Sequence, residues 1–311
     1  RYEEAIEQFE SLADDHPIDA AQRVAQCEVS LGKRDEAQRR LETAIESHGG
    51  TPALHAQLAQ LHFRQGRHEA AQEHCAKALA ADKDQPLARW LKAELNRVRG
   101  DVDEAEKEYE RLVEFYNKTD DIDDIDALHV IGLAAAQRAR WKRDSDQFRF
   151  LISRFYPDLL RREKNDWQAH LEMGRLFLEK YNQREATRQF NAALAINPNA
   201  AEIHSARARL ALQSYDLDRA KSSIQRALEI NPKYFPALQL QADALMADFR
   251  VKEAIEILIQ ARKLNANNEA TLGRLAAAFL YVDGMESAEN EESRFHQLAA
   301  AVQTQNPRCG D

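Results

Sequence analysis

Regular spacing of small residues is the feature that most constrains the fold of this chain. Alanine recurs at every thirty-fourth position in the second half, at Ala186, Ala220 and Ala254, and glycine does so in the first half, at Gly32 and Gly66. A fixed period of this length is typical of solenoids, in which each repeat is one supersecondary unit stacked on its neighbours. The sequence therefore predicts a repeat protein rather than two conventional domains.

The pattern inside each repeat predicts two helices. The first helix carries small or apolar residues three and four positions apart, as at Leu171, Gly174 and Leu178, and the second ends at an Asn-Pro pair such as 197–198. Proline marks the end because it cannot continue a helix. The chain has only 10 glycines and 8 prolines in 311 residues, so few positions suit the turns of a sheet-rich fold. We therefore predict an all-α fold.

This pattern closely resembles the tetratricopeptide repeat family, as it occurs in bacterial arrays, whose unit is a helix–turn–helix of about 34 residues. The family has small residues at the eighth and twentieth places, where antiparallel helices cross closely. Alanine stands at the twentieth place in seven units, the last at Ala288, and Asp144 is the exception. The resemblance implies a right-handed superhelical solenoid of antiparallel helix pairs. The residues at the eighth place, which we expect to pack the repeats together, are Ala25, Ala59, Ala93, Gly132, Gly174, Ala208, Ala242 and Ala276.

The repeat register divides the chain into five segments. We expect a partial leading repeat formed by a second helix, three regular repeats, one divergent repeat, four regular repeats and a tail that would begin a truncated downstream segment, at 1–17, 18–116, 117–166, 167–302 and 303–311. The spacing in the divergent repeat exceeds the period, which predicts insertions at 117–126 and 155–166. Long connections in a compact array are either functional or tolerated loops.

Composition and charge exclude two classes of partner. Lys and Arg number 43 and Asp and Glu number 52, a net charge of −9 at pH 7, whereas nucleic-acid binding needs clustered basic residues. No apolar run is long enough to span a bilayer, so we predict no membrane insertion. We expect a soluble protein, and the sequence leaves its compartment and oligomeric state open.

The cysteines and histidines do not form a recognisable catalytic or metal-binding motif. Cys27, Cys75 and Cys309 lack a paired spacing, and the first two fall at places that are usually buried. We predict no catalytic residue, no metal and no cofactor. His55, His170 and His204 occupy the fourth place, where we expect their rings to pack on the partner helix. His62, His68 and His74 are spaced by six, which places no pair of them on one helical face.

An acidic run between two predicted helices resembles a calcium loop only superficially. It comprises Asp120, Asp121, Asp123, Asp124 and Asp126. The run lacks the glycine at the sixth position and the glutamate at the twelfth that an EF-hand requires. We interpret it as an inter-helix loop whose aspartates cap the following helix.

The resemblance places the binding surface on the concave face, lined by the fifth, ninth and twelfth places of each first helix. A carboxylate clamp for chaperone tails is not expected, because Lys at the fifth place and Asn at the ninth occur together in no unit. Arg175 and Arg209 stand one repeat apart at the ninth place, and we predict that they hold an acidic partner. The full set of predicted groove residues is Arg175, Arg209, Leu178, Leu212, Asp243, Trp90 and Phe63.

Two interpretations of function remain open on the sequence. The first is a non-catalytic scaffold that binds a peptide or helical segment of a partner protein in its groove. The alternative is the repeat arm of a larger enzyme, for example a peptidase, whose catalytic domain lies outside these residues; the chain begins at Arg1 rather than at methionine. A structural role for the arginines is a further alternative, in which Arg209 pairs with Asp243, and Arg175 with Glu172 or Glu179.

Overall fold

The computed structural model describes residues 2–119 and 121–307, and these contain helices and turns but no strand. None of the described helices is long and apolar enough to cross a membrane. A π-helical turn spans Leu151–Phe155 and a 3-10 turn spans Met285–Ala288. The α-helices are α1 Tyr2–Glu10, α2 Pro17–Ser30, α3 Arg34–His48, α4 Pro52–Arg64, α5 His68–Ala81, α6 Pro86–Val98, α7 Val102–Lys118, α8 Ile125–Lys142, α9 Ser145–Phe150, α10 Tyr156–Arg162, α11 Trp167–Glu179, α12 Gln183–Ile196, α13 Ala201–Gln213, α14 Leu217–Ile230, α15 Phe235–Ala247, α16 Val251–Leu264, α17 Glu269–Asp283 and α18 Arg294–Gln305.

Helices pack in pairs, and the pairs stack in chain order. Within a unit, α11 packs on α12 and α13 on α14, while the first helices of successive units also pack on one another, α11 on α13 and α13 on α15. Prolines at 17, 52 and 86 lie in the first turn of a first helix, where no hydrogen bond is lost. Side chains cap several other helices, as where Asp216 accepts from the backbone NH of Arg219 at 3.1 Å.

The small residues of the eighth place lie at the helix crossings. The six alanines among them are between 0 and 6% exposed, and both glycines are buried. At Gly174 a β-carbon would lie 2.5 Å from Cδ1 of Phe190, and at Gly132 it would lie 2.7 Å from the hydroxyl of Tyr156. Residues with a larger side chain would therefore force the two helices apart.

The turn from the first to the second helix of a unit contains one residue in the left-handed backbone conformation. At Gly32, with φ of 80°, the next NH, of Lys33, donates to the carbonyl of Glu28 at 2.8 Å, which closes the turn as a Schellman motif. Gly66 and Gly100 have the same sign of φ. In four later units the residue at this position is not glycine but Arg143, Tyr181, Tyr215 or Phe249, although a side chain there costs about 1 kcal/mol relative to glycine.

The divergent unit differs from the sequence prediction because most of its second insertion is helical. Residues 156–162 form α10, joined to α9 by the π-helical turn, so the second helix of this unit is lengthened. The first insertion also begins inside α7, which continues to Lys118. In the loop that follows, Asp124 accepts from the backbone NH of Ala127 at 3.2 Å, which confirms the capping role expected for the acidic run; Asp120 lies outside the described residues.

The last unit departs from the repeat period. Helix α16 starts at Val251, and one further period would place the start of the next second helix at Met285, but that helix, α18, starts at Arg294. Ala288 therefore lies in the 3-10 turn and not in the second helix, so its predicted place in the register is wrong. Because α18 starts later than the period predicts, the buried residues of this second helix are Leu298 and Val302. Helix α18 also runs to Gln305, three residues into the segment expected to be a tail.

The two ends of the solenoid touch side to side. The side-chain amide of Asn231, after α14, donates to the carbonyl of Val29 at 3.2 Å, and Asn267, after α16, donates to the carbonyl of Gly66 at 3.1 Å. The guanidinium of Arg34 donates to the carbonyl of Lys233 at 3.0 Å. We call this contact, between residues 29–66 and residues 231–267, the seam. The array thus curves far enough for its early turns to meet its late ones.

Candidate protein-binding groove

Five of the predicted groove residues line a single cavity of about 780 Å³ on the inner side of α11, α13 and α15. We call this cavity the arginine groove. The predicted residues in it are Arg175, Leu178, Arg209, Leu212 and Asp243. The repeat brings them together because each first helix contributes the same places to the same wall, one unit after another.

The two groove arginines have different surroundings. Arg175 forms an ion pair with Glu172 one turn earlier, as the structural alternative expected. Arg209 does not pair with Asp243, because both carboxylate oxygens of Asp243 accept from Arg274, at 2.7 and 2.9 Å. Within the described part of the chain, Arg209 forms no side-chain hydrogen bond or ion pair. The alternative is therefore correct for Arg175 and wrong for Arg209.

The two arginines also differ in the direction in which the protein shifts their pKa. Burial opposes the charge on Arg175, but Glu172 outweighs it, and the pKa of this guanidinium is raised. The pKa of Arg209 is lowered, first by the surrounding protein walls, which displace water, and then by the positive charge of Arg175. Arg209 thus carries a charge in a place where a carboxylate would be favoured.

The rest of the wall is mostly apolar, and its remaining charged residue, Glu179, pairs with Arg140. Leu178 is 5% exposed and packs into the helix core, so it presents only an edge to the cavity, while Leu212 is half-buried. Ser205 and Gln213 line the same cavity, and the Oγ of Ser205 and the Oε1 of Gln213 are themselves buried and have no hydrogen-bond partner in the described residues. A concave pocket with mostly apolar walls and a few charged groups is typical of peptide and ligand sites.

The two predicted aromatic residues lie elsewhere. Trp90 is half-buried and packs against the cores on either side of it. Phe63 stacks on His68 with ring centroids 5.7 Å apart and lines a separate cavity of about 530 Å³ beside the seam. Arg175 borders both cavities. The structure therefore joins five of the seven predicted residues in one site and leaves two outside it.

A histidine cluster was missed by the sequence reasoning, which considered only pairs on one helix. His55 and His62 of α4 meet His74 of α5: the Nδ1 atoms of His55 and His74 lie 3.0 Å apart, and the rings of His62 and His74 stack at 5.6 Å. Burial and the neighbouring His55 lower the pKa of His74 to about 4. No cluster of three or more His, Cys, Asp or Glu in the described residues is arranged to hold a metal ion. His170 and His204 bond to Gln189 and to the carbonyl of Pro198.

Two cysteines are packed inside the helix pairs. Cys27 is 8% exposed and Cys75 is 3% exposed, as predicted, and Cys309 lies outside the described residues. Burial raises the pKa of both thiols, that of Cys75 to about 12. A thiol with a raised pKa is a poor nucleophile, so these side chains act as small buried hydrophobes.

Comparison with known proteins agrees with this architecture. A tetratricopeptide repeat protein from Parabacteroides merdae has 19% sequence identity and a TM-score of 0.52, with 89% of this chain and 98% of that chain covered. The Cut9–Hcn1 hetero-tetramer of the APC/C has 12% identity and a TM-score of 0.52, over 89% of this chain and 52% of that one. TTC0263, a thermophilic protein of this type from Thermus thermophilus, has 23% identity and a TM-score of 0.50, over 64% and 99%. At these identities the likeness shows the fold alone.

The family assignment depends on the repeat sequence itself. The comparison with curated proteins finds no match. The tetratricopeptide repeat model matches residues 25–86, 57–119 and 171–235, which together cover just over half of the chain. The predicted fold class, an all-α right-handed superhelical solenoid of helix pairs, is confirmed by these matches and by the helix order. The chain belongs to the tetratricopeptide repeat family.

Proposed function

We propose that the protein is a non-catalytic scaffold that holds an acidic segment of a partner protein in the arginine groove. Tetratricopeptide repeats generally serve protein–protein interaction, and proteins built from them are typically not enzymes. The observation that carries the proposal is the position of Arg209, a guanidinium that forms no ion pair within the described residues, inside a concave and partly apolar cavity.

A carboxylate is the group that best complements this arrangement. A charge-assisted hydrogen bond from Arg209 to a carboxylate would be short and strong, and it would offset the repulsion from Arg175. The chain has a net charge of −9, so a local pair of arginines is set against the charge of the molecule as a whole. That contrast selects acidic segments at this site, since most of the remaining surface repels them.

The wall of the groove fits a segment of polypeptide. Leu212 and the edge of Leu178 provide apolar contact along the cavity. Successive first helices lie about 8–10 Å apart, so one segment can reach both arginines. The groove therefore offers charge and apolar contact along one line.

Binding is tested with a short fluorescein-labelled peptide of alternating glutamate and leucine, followed by fluorescence anisotropy. Arg209→Glu is the informative variant, because Arg209 makes no ion pair in the described residues and its reversal should leave folding intact. We expect it to weaken binding by about tenfold or more. Arg175→Gln is used at the other position, since a glutamate there would face Glu172. Arg188→Glu, an exposed change of the same charge on α12, is the matched control and should bind like the wild type.

The proposal fails if the peptide does not bind the wild-type chain, or if Arg209→Glu binds as tightly as the control. In the second case the site lies elsewhere, and Trp90 and Phe63 are the next residues to substitute. Circular dichroism of each variant verifies that the helices are retained.

A further inference from the structure

Three exposed aromatic residues stand at the same place in three successive units. Tyr181, Tyr215 and Phe249 each follow a first helix, with φ of 56°, 55° and 58°, and their exposed fractions are 78, 87 and 81%. We call them the aromatic row. Each is the left-handed residue of a Schellman turn, as shown by the NH of the next residue, which donates five residues back at 2.9 Å.

Folding does not account for the row. Glycine occupies this position in the first three units, at Gly32, Gly66 and Gly100, and it would relieve the backbone strain here as well. Within the described residues, none of the three rings contacts another ring or forms a side-chain hydrogen bond. Each position thus combines a strained backbone with a large apolar side chain in water. Strained residues of this kind cluster at functional sites.

The row borders the arginine groove. Tyr181 and Tyr215 line the same cavity as Arg175 and Arg209, and Phe249 continues the row by one unit. The first helices that carry the row, α11, α13 and α15, pack on one another in sequence. Their spacing of about 8–10 Å therefore separates neighbouring aromatic residues by a similar distance along the edge of the groove.

A regular polypeptide conformation has this same spacing on one face. A polyproline II helix advances about 9 Å in three residues and presents every third side chain in the same direction. An extended strand alternates its faces every residue, so its side chains three apart point in opposite directions. Aromatic surfaces bind proline rings in grooves of this type. The row matches a polyproline II segment and does not match a strand.

We propose that the aromatic row binds an acidic segment in polyproline II conformation. This segment has a proline at every third position, and successive prolines pack on Tyr181, Tyr215 and Phe249. The acidic residues between the prolines face Arg209. This inference rests on the proposed function and adds to it the conformation and the spacing of the partner. The partner is another protein, because the arginine groove beside the row selects acidic side chains.

The test uses two labelled peptides, one with the repeated unit Pro-Ala-Glu and one with Gly-Ala-Glu, which keeps the charge and loses the conformation. The variant replaces all three residues of the row, Tyr181→Gly, Tyr215→Gly and Phe249→Gly. Glycine is suited to this backbone, so the variant should melt no lower than the wild type. The matched control is Tyr281→Ala on α17, which removes an aromatic residue that is 62% exposed and outside the row.

We expect the wild type to prefer the proline peptide by about tenfold, and the triple variant to lose that preference while the control keeps it. Equal affinity of the wild type for the two peptides, or an unchanged preference in the triple variant, overturns the inference. If the glutamate–leucine peptide still binds in an Arg209-dependent manner in that case, the proposed function stands and only the role of the row is wrong. Sedimentation that shows self-association of the wild type, lost in the triple variant, would assign the row to a second copy and also overturn the inference.

Discussion

The side chain of Asn231 closes over Gly32 at the seam, so tightly that a β-carbon at Gly32 would lie 2.5 Å from Oδ1 of Asn231. The same relation recurs one repeat later, between Asn265 and Gly66. Because both partners advance by one full repeat, the period that builds the helix pairs also aligns the seam. Glycine at these turns therefore serves the contact between the two ends of the array as well as the turn itself.

The first prediction concerns this contact. Gly32→Ala combined with Gly66→Ala should destabilise the chain by about 1–3 kcal/mol and open the seam, because the new β-carbons overlap the asparagine side chains. Small-angle X-ray scattering should show a larger radius of gyration. Gly49→Ala is the control, since its φ is also positive but nothing lies within 4 Å of its position. An unchanged radius in the double variant would contradict the closed arrangement.

Two glycines in first helices should respond in opposite directions to the same change. Gly174→Ala should lower stability, because its β-carbon would meet Phe190, whereas Gly273→Ala in α17 should raise it by about 1 kcal/mol, since alanine favours helix and the position is open. Urea unfolding followed by circular dichroism measures both. Stabilisation by Gly174→Ala would mean that the helix crossing at the eighth place is wrong.

The histidine cluster predicts a pH dependence of stability. The pKa of His74 is about 4 in the folded chain, below the ordinary histidine value of 6.5, so the unfolded chain binds the proton first as pH falls. Stability should therefore decrease by about 1–2 kcal/mol between about pH 7 and pH 5, the lower value allowing for solvent screening of a partly exposed group, and level off below the folded pKa. His74→Gln should flatten this dependence in urea unfolding. His48→Gln, at an exposed site, should leave it unchanged.

Glu108 of α7 is a buried carboxylate, with its side chain 2% exposed, and it lies within 2.8 Å of the cationic groups of Arg89, Lys92 and Arg111. Burial works against its charge, but these partners prevail and lower its pKa, so its contribution is lost as pH falls below about 4.5. Glu108→Gln should cost about 2–4 kcal/mol in urea unfolding, because it leaves the guanidinium of Arg89, whose side chain is only 12% exposed, without this counter-ion. Glu114→Gln on the same helix removes an exposed pair and should cost less than about 1 kcal/mol.

Part of the candidate site followed from the repeat register. Arg175, Leu178, Arg209, Leu212 and Asp243 occupy equivalent places of consecutive first helices, so their presence on one wall could be deduced from spacing. Their ion pairs could not be deduced from spacing, because Arg209 and Arg274, on the two helices next to that of Asp243, are both candidates to pair with it. In the structure Asp243 pairs with Arg274. The aromatic row had a signal in the sequence, because aromatic residues replace glycine at the fifteenth place, the place of Gly32 and Gly66. Only the exposure of the rings in the structure shows that they are not part of the core.

The sequence by itself determined the features that depend on near neighbours. The helix pairs, their order and the small residues at their crossings all follow from patterns within one repeat, since each unit contacts only the next along most of the array. The tertiary structure alone decided which distant parts meet. The seam joins Val29 to Asn231, and it exists because small rotations between units accumulate over the array until one end reaches the other. The sequence pattern within one repeat does not show this accumulated rotation.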